Sequence, residues 1–494
     1  MQRGQITIFL SMILTLLLSV ICTAVEAVRV EGLILQGKSA MQMAENSLLS
    51  SFQPDLLREY ELFFIDGAGE NSNFSTSRLE SFLGDDLSYN LRPAKGLAVG
   101  NKVSFFNSQV VSVELGNFCL MTDAQGYEFY KQAIQYEENR LGIDLLEKLV
   151  EETTRGEKSI KEGESLAEEE TAQQETINRL EEENKETENA FSQDDFSDDN
   201  PLNDMEDCKA GGILSLILGD RIVSGKQIDL EKMPSKRELL TGSGKKKTDS
   251  FLGPIEDRLL FGEYILEKFH HALSAETGPG LSYEVEYILI GKNSDKKNLE
   301  GVLNRLLFFR EGVNYLYLHS DSRKVEEAEI LATALVGFTG LPPVITAMRE
   351  LLLLGWAYAE SIMDLKNLMN GGTLALVKTS ENWQISLENI GNLLNEESQK
   401  REEKGGLTYE GYLRLLLGMK SGKAKIMSAL DLIETNLRQN EGMNRFRVDC
   451  CFSKCSYKMT YEAEPLFLGI PIAEGMLKTK NGKYYFSTEG SIAY

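Results

Sequence analysis

Ile6 to Val25 (ITIFLSMILTLLLSVICTAV) runs for twenty positions without a charged residue. At about 1.5 Å per residue, a helix of that length is about 30 Å long, the thickness of a bilayer's hydrocarbon core. Residues 6–25 therefore read as a transmembrane helix behind a short N-terminus, residues 1–5. From Val28 to Phe52 the pattern turns amphipathic. Leu33, Leu35, Met41, Met43, Ala44, Leu48 and Leu49 recur among polar residues, with no proline before Pro54. Residues 26–54 thus continue the helix as a stalk whose apolar face needs a packing partner. Its own domain is the favoured partner over the helix of another chain.

From 55 to 150 the pattern is mixed. LLREYELFF and Ser75 to Tyr89 read as helices, and Val110 to Met121 (VVSVELGNFCLM) as a strand. Tyr127 to Val150 returns to a helical period, with Tyr136, Leu141, Leu145, Leu146 and Leu149 on the apolar side. Residues 151–207 lose apolar periodicity and read as a largely disordered linker. The segment 208–494 reads as the main helical part. Phe251 to Ala275, Glu284 to Asn314, Val325 to Leu368, Tyr409 to Met419 and Ala424 to Gln439 are its helices. Thr373 to Lys378, Phe446 to Tyr461 and Tyr484 to Phe486 read as strands. Ile330 to Ala347 is a second run without charge. Gly337, Gly340, Pro342 and Pro343 break it in the middle, which predicts two buried helices joined by a tight turn rather than a membrane hairpin. The class is α+β, mostly helical, with a β-rich C-terminal tail.

Charge changes this picture in one place. The formal net charge is −24, and residues 151–207 carry 21 acidic against five basic side chains, leaving only −8 for the rest. An acidic balance of this kind argues against nucleic acid, whose phosphates need a basic face. Around residues 6–25, Arg3 and the α-amino group stand on the short side, while Glu26, Arg29, Glu31 and Lys38 cancel on the other. The positive-inside rule then leaves the N-terminus in the cytoplasm and sends the bulk of the chain out of the cell membrane in a single pass. The alternatives are a secretory signal cut after Ala27 and a lipoprotein at Cys22. The first has a long apolar stretch and a single basic residue against it. The second has the bulky Ile21 where a small residue is needed.

Candidate chemistry is sparse. Six cysteines in 494 residues are not a disulfide framework. Cys450, Cys451 and Cys455 cluster in a strand pattern without C-x-x-C spacing, so buried thiols or one bridge are expected rather than a metal site. Their pairing is open. Gly242-Ser243-Gly244-Lys245 lacks the phosphate-loop spacing, and Glu267 with His271 lacks H-E-x-x-H. No G-x-S-x-G elbow occurs. Asp194, Asp195, Asp198 and Asp199 lack the glycine pattern of a calcium loop. Trp383 reads as a core anchor rather than an exposed stacking platform. No catalytic, cofactor or metal residues are assigned, and an enzyme is not expected; a surface hydrolase would need a nucleophile-base pair or metal set.

Arg3-Gly4-Gln5-Ile6-Thr7-Ile8-Phe9 ahead of the apolar helix resembles the start of TadE/TadG-like proteins of the tight-adherence pilus system. The resemblance implies a pseudopilin-like membrane protein cut by a prepilin peptidase between Gly4 and Gln5. It also implies pilus or pseudopilin subunits as partners of the N-terminal helix within the lipid bilayer. Such prepilins usually carry Glu at the fifth position after the cut, where this chain has Phe9. Five further strings are YELFFID (60–66), PSKR (234–237), YEVEYILIG (283–291), residues 298–312 with LLFFREG, and YEGYLRLLL (409–417). They resemble a family of unknown function from anaerobic Gram-positive bacteria, found as membrane-anchored TadE/TadG-like proteins. The expected role is a non-catalytic component of a surface pilus or secretion assembly. The alternative is a monomeric surface adhesion or ligand-binding protein.

Overall fold

The computed structural model describes residues 2–69, 73–91, 106–142, 149–151, 153–155, 158, 212–244, 254–275, 280–392, 400–467 and 477–494. Nearly all of the acidic segment 151–207, its aspartate pairs, Cys208, Leu145, Leu146 and Lys245 lie outside the described residues. The chain is α+β and mostly helical, with a strand-rich C-terminal region, and it divides into two compact units. Neither unit is a continuous segment. The first takes Met1–Gln132, Glu238–Ser250 and Asn436–Tyr494; the second takes Ala133–Arg237 and Phe251–Thr435. The linear division into 55–150 and 208–494 is thus not how the chain packs. The C-terminal strands belong with the N-terminal helix because they supply the surface that its stalk covers.

In the first unit, α1 (Gln2–Leu49) is one unbroken helix. It is followed by α2 (Pro54–Tyr60), β1 (Ile65–Asp66), α3 (Thr76–Leu91) and β2 (Ser108–Leu120). LLREYELFF is helical only as far as Tyr60, because Glu61 turns left-handed at φ 57° and closes α2. The C-terminal strands are β3 (Cys451–Ala463), β4 (Leu477–Lys480) and β5 (Lys483–Ala493). All pairings are antiparallel. β3 lies between β2 on one edge and β1 and β5, end to end, on the other, and β4 extends β5. The strand register slips between Gly116 and Leu120, where Asn117 takes φ 48°, a bulge that ends regular pairing near β2's end.

Alternation in β3 sends Cys455, Tyr457, Met459, Tyr461 and Ala463 to one buried face. Those residues share a core with Val30, Leu33, Ala40, Met41, Ala44 and Leu48 of α1 and with Leu79, Leu83, Leu87 and Leu91 of α3. The α3 leucines recur every fourth residue, which puts them on one stripe. Gly37 lets α1 approach closely. A β-carbon there would run into the Tyr461 ring, whose hydroxyl donates to the Leu33 carbonyl at 3.0 Å.

The second unit is built from helices: the C-terminal part of α4 (Tyr127–Arg140), α5 (Ile213–Leu218), α6 (Ile255–Lys268), α7 (Glu284–Ile290), α8 (Asp295–Ser320), α9 (Ser322–Val336), α10 (Pro342–Met369), α11 (Tyr409–Met419) and most of α12 (Gly422–Leu437). The expected helix 284–314 is two. Gly291 at φ 80° closes α7, and the Ser294 hydroxyl caps α8 by accepting from the Lys297 N–H. The expected hairpin within 325–368 is there, formed by α9 and α10 and turned at Gly337–Leu341. Thr373 to Lys378 forms no strand. Only isolated bridges join Thr373 to Glu402 and Leu374 to Leu407, and the Ala375 carbonyl bonds a side chain instead.

Candidate functional site

Two features invite a functional reading: the N-terminal half of α1 and a set of buried charges in the second unit. The 20 residues from Ile6 to Val25 leave their large side chains exposed; Ile6, Phe9, Leu14 and Leu16 are each more than 60% accessible. Among the described residues, one helix is long and apolar enough to cross a membrane, and its most apolar 18-residue window has a mean hydropathy of 2.6. The hydroxyls within it are turned back onto the helix. Ser11 donates to the Ile8 carbonyl at 2.8 Å, Thr15 to Ser11 at 2.7 Å and Thr23 to Ser19 at 2.8 Å. Polar groups satisfied in this way suit a medium without water.

At Glu26 the helix changes surroundings within one turn. Glu26 and Arg29 are both buried and paired at 2.9 Å, and the Glu26 carboxylate also accepts from the Leu466 N–H. These are two of the four flanking charges used above to orient the chain. A pair one turn apart, taken out of solvent, presents little net field at the end of the apolar run. Gly4 and Gln5 lie in the first turns of α1.

In the second unit, Arg310 and Asn314 on α8 face Glu360, Ser361 and Asp364 on α10. The Arg310 guanidinium clasps the Asp364 carboxylate at 2.7 and 2.9 Å and donates to the Ala375 carbonyl at 2.8 Å. Lys378 reaches Glu360 and Asp364, both at 2.7 Å, with Glu403 at 3.9 Å. Glu360 also accepts from the Gln384 and Ile385 N–H groups at 3.0 Å. Arg310, Asp364, Glu360 and Lys378 have no exposed side-chain surface. Burial pushes each carboxyl up, but the Arg310 guanidinium and Lys378 ammonium outweigh it at Asp364 and hold that group below the usual carboxylate range. At Glu360 burial wins and the pKa rises. This network is closed to substrate. It ties α8, α10 and the 373–385 segment in one register, and losing one member would strand a buried charge.

The strings that carry the resemblance fall on related contacts. From PSKR, Ser235 donates to Asp431 at 2.6 Å and Arg237 clasps Glu434 at 2.8 and 3.0 Å. From YEVEYILIG, the Tyr287 hydroxyl donates to Asp431 at 2.8 Å, and Glu286 accepts from the Tyr409 hydroxyl of YEGYLRLLL at 2.8 Å. LLFFREG contributes Arg310. These are interior polar pairs. Sequence reading passed over Glu360, Asp364 and Lys378, although two carboxylates one turn apart in the otherwise uncharged stretch Leu351 to Leu365 are a visible signal.

The other candidates are accounted for by their neighbours. Glu267 engages Arg140, Tyr136 and Lys268, while the His271 ring packs edge-on against Tyr409 at 5.7 Å. Trp383 is half-buried, bonds the Ile385 carbonyl at 2.6 Å and meets the rings of Tyr317 and Trp356, with the Lys324 ammonium 4.6 Å from its own ring centre. Cys450, Cys451 and Cys455 are buried, and burial pushes Cys450 up to about 11 and Cys455 up to about 12, where their thiols are unreactive. Among the described residues no group of three or more His, Cys, Asp or Glu is placed to hold a metal ion.

No curated protein and no solved structure matches the chain. Residues 191–463 match DUF5702, a family of unknown function, and with more than half of its length covered the chain belongs to that family.

Proposed function

We propose that the chain is a membrane-anchored, outward-facing, pseudopilin-like component of a surface pilus or secretion assembly. The observation that carries this reading is the two-part helix α1. Its first half is apolar and exposed, and its second half lies on an antiparallel sheet with no break between them. Such a helix hands a folded head to the outside while its first half offers an apolar side to other helices in a bilayer. The TadE/TadG-like start at Arg3 to Phe9 supplies the link to a pilus system and the cut between Gly4 and Gln5. The free surface protein, an adhesion or ligand-binding molecule, is favoured by one residue: Phe9 occupies the place where a carboxylate would pair with a neighbour's new amino terminus.

The test is N-terminal mass spectrometry of the protein purified from membranes of its native cell, together with identification of what co-purifies. A terminus at Gln5 with pilus proteins alongside is the expected result. An intact Met1 with no such partners overturns the assembly role and leaves a plain anchor. A start at Val28 overturns the anchor as well.

A further inference from the structure

Outside α1, the longest run without charge, Ile330 to Ala347, forms the closed end of the α9–α10 hairpin. It is not buried as the sequence suggests. Ile330 is 65% exposed, Phe338 64% and Leu341 51%, and Pro342 and Pro343 are exposed between them. An apolar end of this kind on a folded domain has a cost in water that asks for an explanation.

The base of the apolar end is marked by a belt of charges. Arg349 on α10 pairs with Glu329 on α9 at 3.2 Å and with Glu350 at 2.7 Å. Beyond the belt, Ile330 to Val336 on α9 and Pro342 to Met348 on α10 are seven residues each. At about 1.5 Å per residue the apolar cap is about 10 Å tall. That is the depth to which interfacial elements enter a membrane, about 5–10 Å, and a third of the hydrocarbon thickness of about 30 Å. The cap fits one leaflet and is too short to span.

The backbone of the turn is also adapted to a medium without water. A helix start normally leaves four N–H groups without intrahelical partners. Here Pro342 and Pro343 have no N–H, and those of Val344 and Ile345 both bond the Leu341 carbonyl, at 3.1 and 3.4 Å. The Gly340 N–H bonds the Gly337 carbonyl at 3.1 Å. The two hydroxyls on the hairpin arms return to their own helices, Thr333 to the Glu329 carbonyl at 2.8 Å and Thr346 to the Pro342 carbonyl at 3.1 Å. A helix whose first turn begins with two prolines, under an uncharged cap, presents few donors to water and has little to lose in lipid.

We propose that the tip of the α9–α10 hairpin, around Phe338 and Leu341, inserts into the outer leaflet of a bilayer as a second, shallow membrane contact. The proposal rests on the membrane-anchored reading above, since α1 is what keeps a bilayer available to this chain. The cap requires no complementary pocket, only an uncharged fluid phase of about its own depth.

The experiment reconstitutes the full chain into phosphatidylcholine–phosphatidylglycerol vesicles doped with a phosphatidylcholine that carries a photoactivatable acyl chain. Lipid adducts are then mapped by peptide mass spectrometry. Adducts on peptides from 330–348 as well as 6–25 are expected, with loss of the hairpin adducts and retention of the others in Phe338→Asp/Leu341→Asp. Both substituted residues are exposed, and an unchanged far-ultraviolet circular dichroism spectrum checks the fold. Adducts on 6–25 alone overturn the hairpin proposal and keep the anchor. Adducts on the hairpin alone keep the proposal and overturn the anchor, and adducts on neither overturn both.

Discussion

Glu286 is completely buried on α7. Its Oε1 accepts from the Ala272 N–H at 2.9 Å and from the Tyr409 hydroxyl, while Oε2 has no partner among the described residues. Burial pushes its pKa up to about 7, against these hydrogen bonds. A carboxyl in that position holds a proton that the unfolded chain has already released, so an unsatisfied Oε2 is where the proton belongs. The sign follows from linkage. Between the ordinary value near 4.5 and about 7 the folded state binds more protons, so stability falls as pH rises, by about 3 kcal/mol over that interval at about 1.4 kcal/mol per unit. Asp364, held low by Arg310 and Lys378, has the opposite sign; its stabilisation is present at neutral pH and lost only when pH falls below the ordinary carboxylate range. Glu286→Gln is therefore expected to flatten the dependence between pH 5 and 7.5. Urea unfolding midpoints, followed by tryptophan emission, read it out, because Trp356 and Trp383 both lie in this unit. An equal slope in the parent and the variant would sink the assignment.

At the scale of elements, the fit of α1 to the sheet depends on missing side chains as much as on present ones. Gly37 is buried against Tyr461, and Gly32 is covered by Phe106. Gly37→Val forces the helix off β3 or Tyr461 off the Leu33 carbonyl, which costs about 1–3 kcal/mol for overpacking. Amide exchange over residues 30–48 is expected to speed up. Gly84→Ala on α3 is the contrasting change, because its β-carbon would meet only Val113 at 4.0 Å. There the helix gains about 1 kcal/mol of propensity, and exchange in α3 slows. If Gly37→Val leaves exchange over 30–48 unchanged, the close approach does not hold the stalk down. Elements of this kind were legible where period and composition agree. Val110 to Met121 was read as a strand and β2 spans Ser108–Leu120; α11 has the predicted ends. β5 was seen only at Tyr484 to Phe486, because Ser487 to Ser491 is polar and pairs on the strength of β3's backbone. Thr373 to Lys378 shows the converse, strand-like residues with no strand beside them. The buried charges of α10, Glu360 and Asp364, were passed over in sequence, and their partner could not have been read locally, since Arg310 is 54 positions from Asp364.

At the scale of the molecule, the discontinuous first unit makes a demand that no linear division makes. The stalk residues Leu33, Met41, Ala44 and Leu48 share a core with Met459, Tyr461, Tyr484 and Phe486, more than 400 positions away. Sequence periodicity declared that the stalk needed a partner but could not say which of several apolar strands it was, because pairing across such a separation leaves no local pattern. Ending the chain after Thr435 removes β3, β4 and β5, and with them the face on which α1 and α3 lie. Residues 26–49 and 76–91 are then expected to lose exchange protection and to be cut by protease at Arg29, Lys38 or Arg78. The second unit keeps Arg310, Asp364, Glu360, Lys378 and Glu403, all of which precede the cut. Its two tryptophans should hold their parental emission maximum. Hydrogen exchange and limited proteolysis of the shortened chain in detergent decide the matter. Protection of α1 without the C-terminal strands would mean that the stalk folds on some other surface, and the packing of α1 on β3 and β5 would not be what holds it.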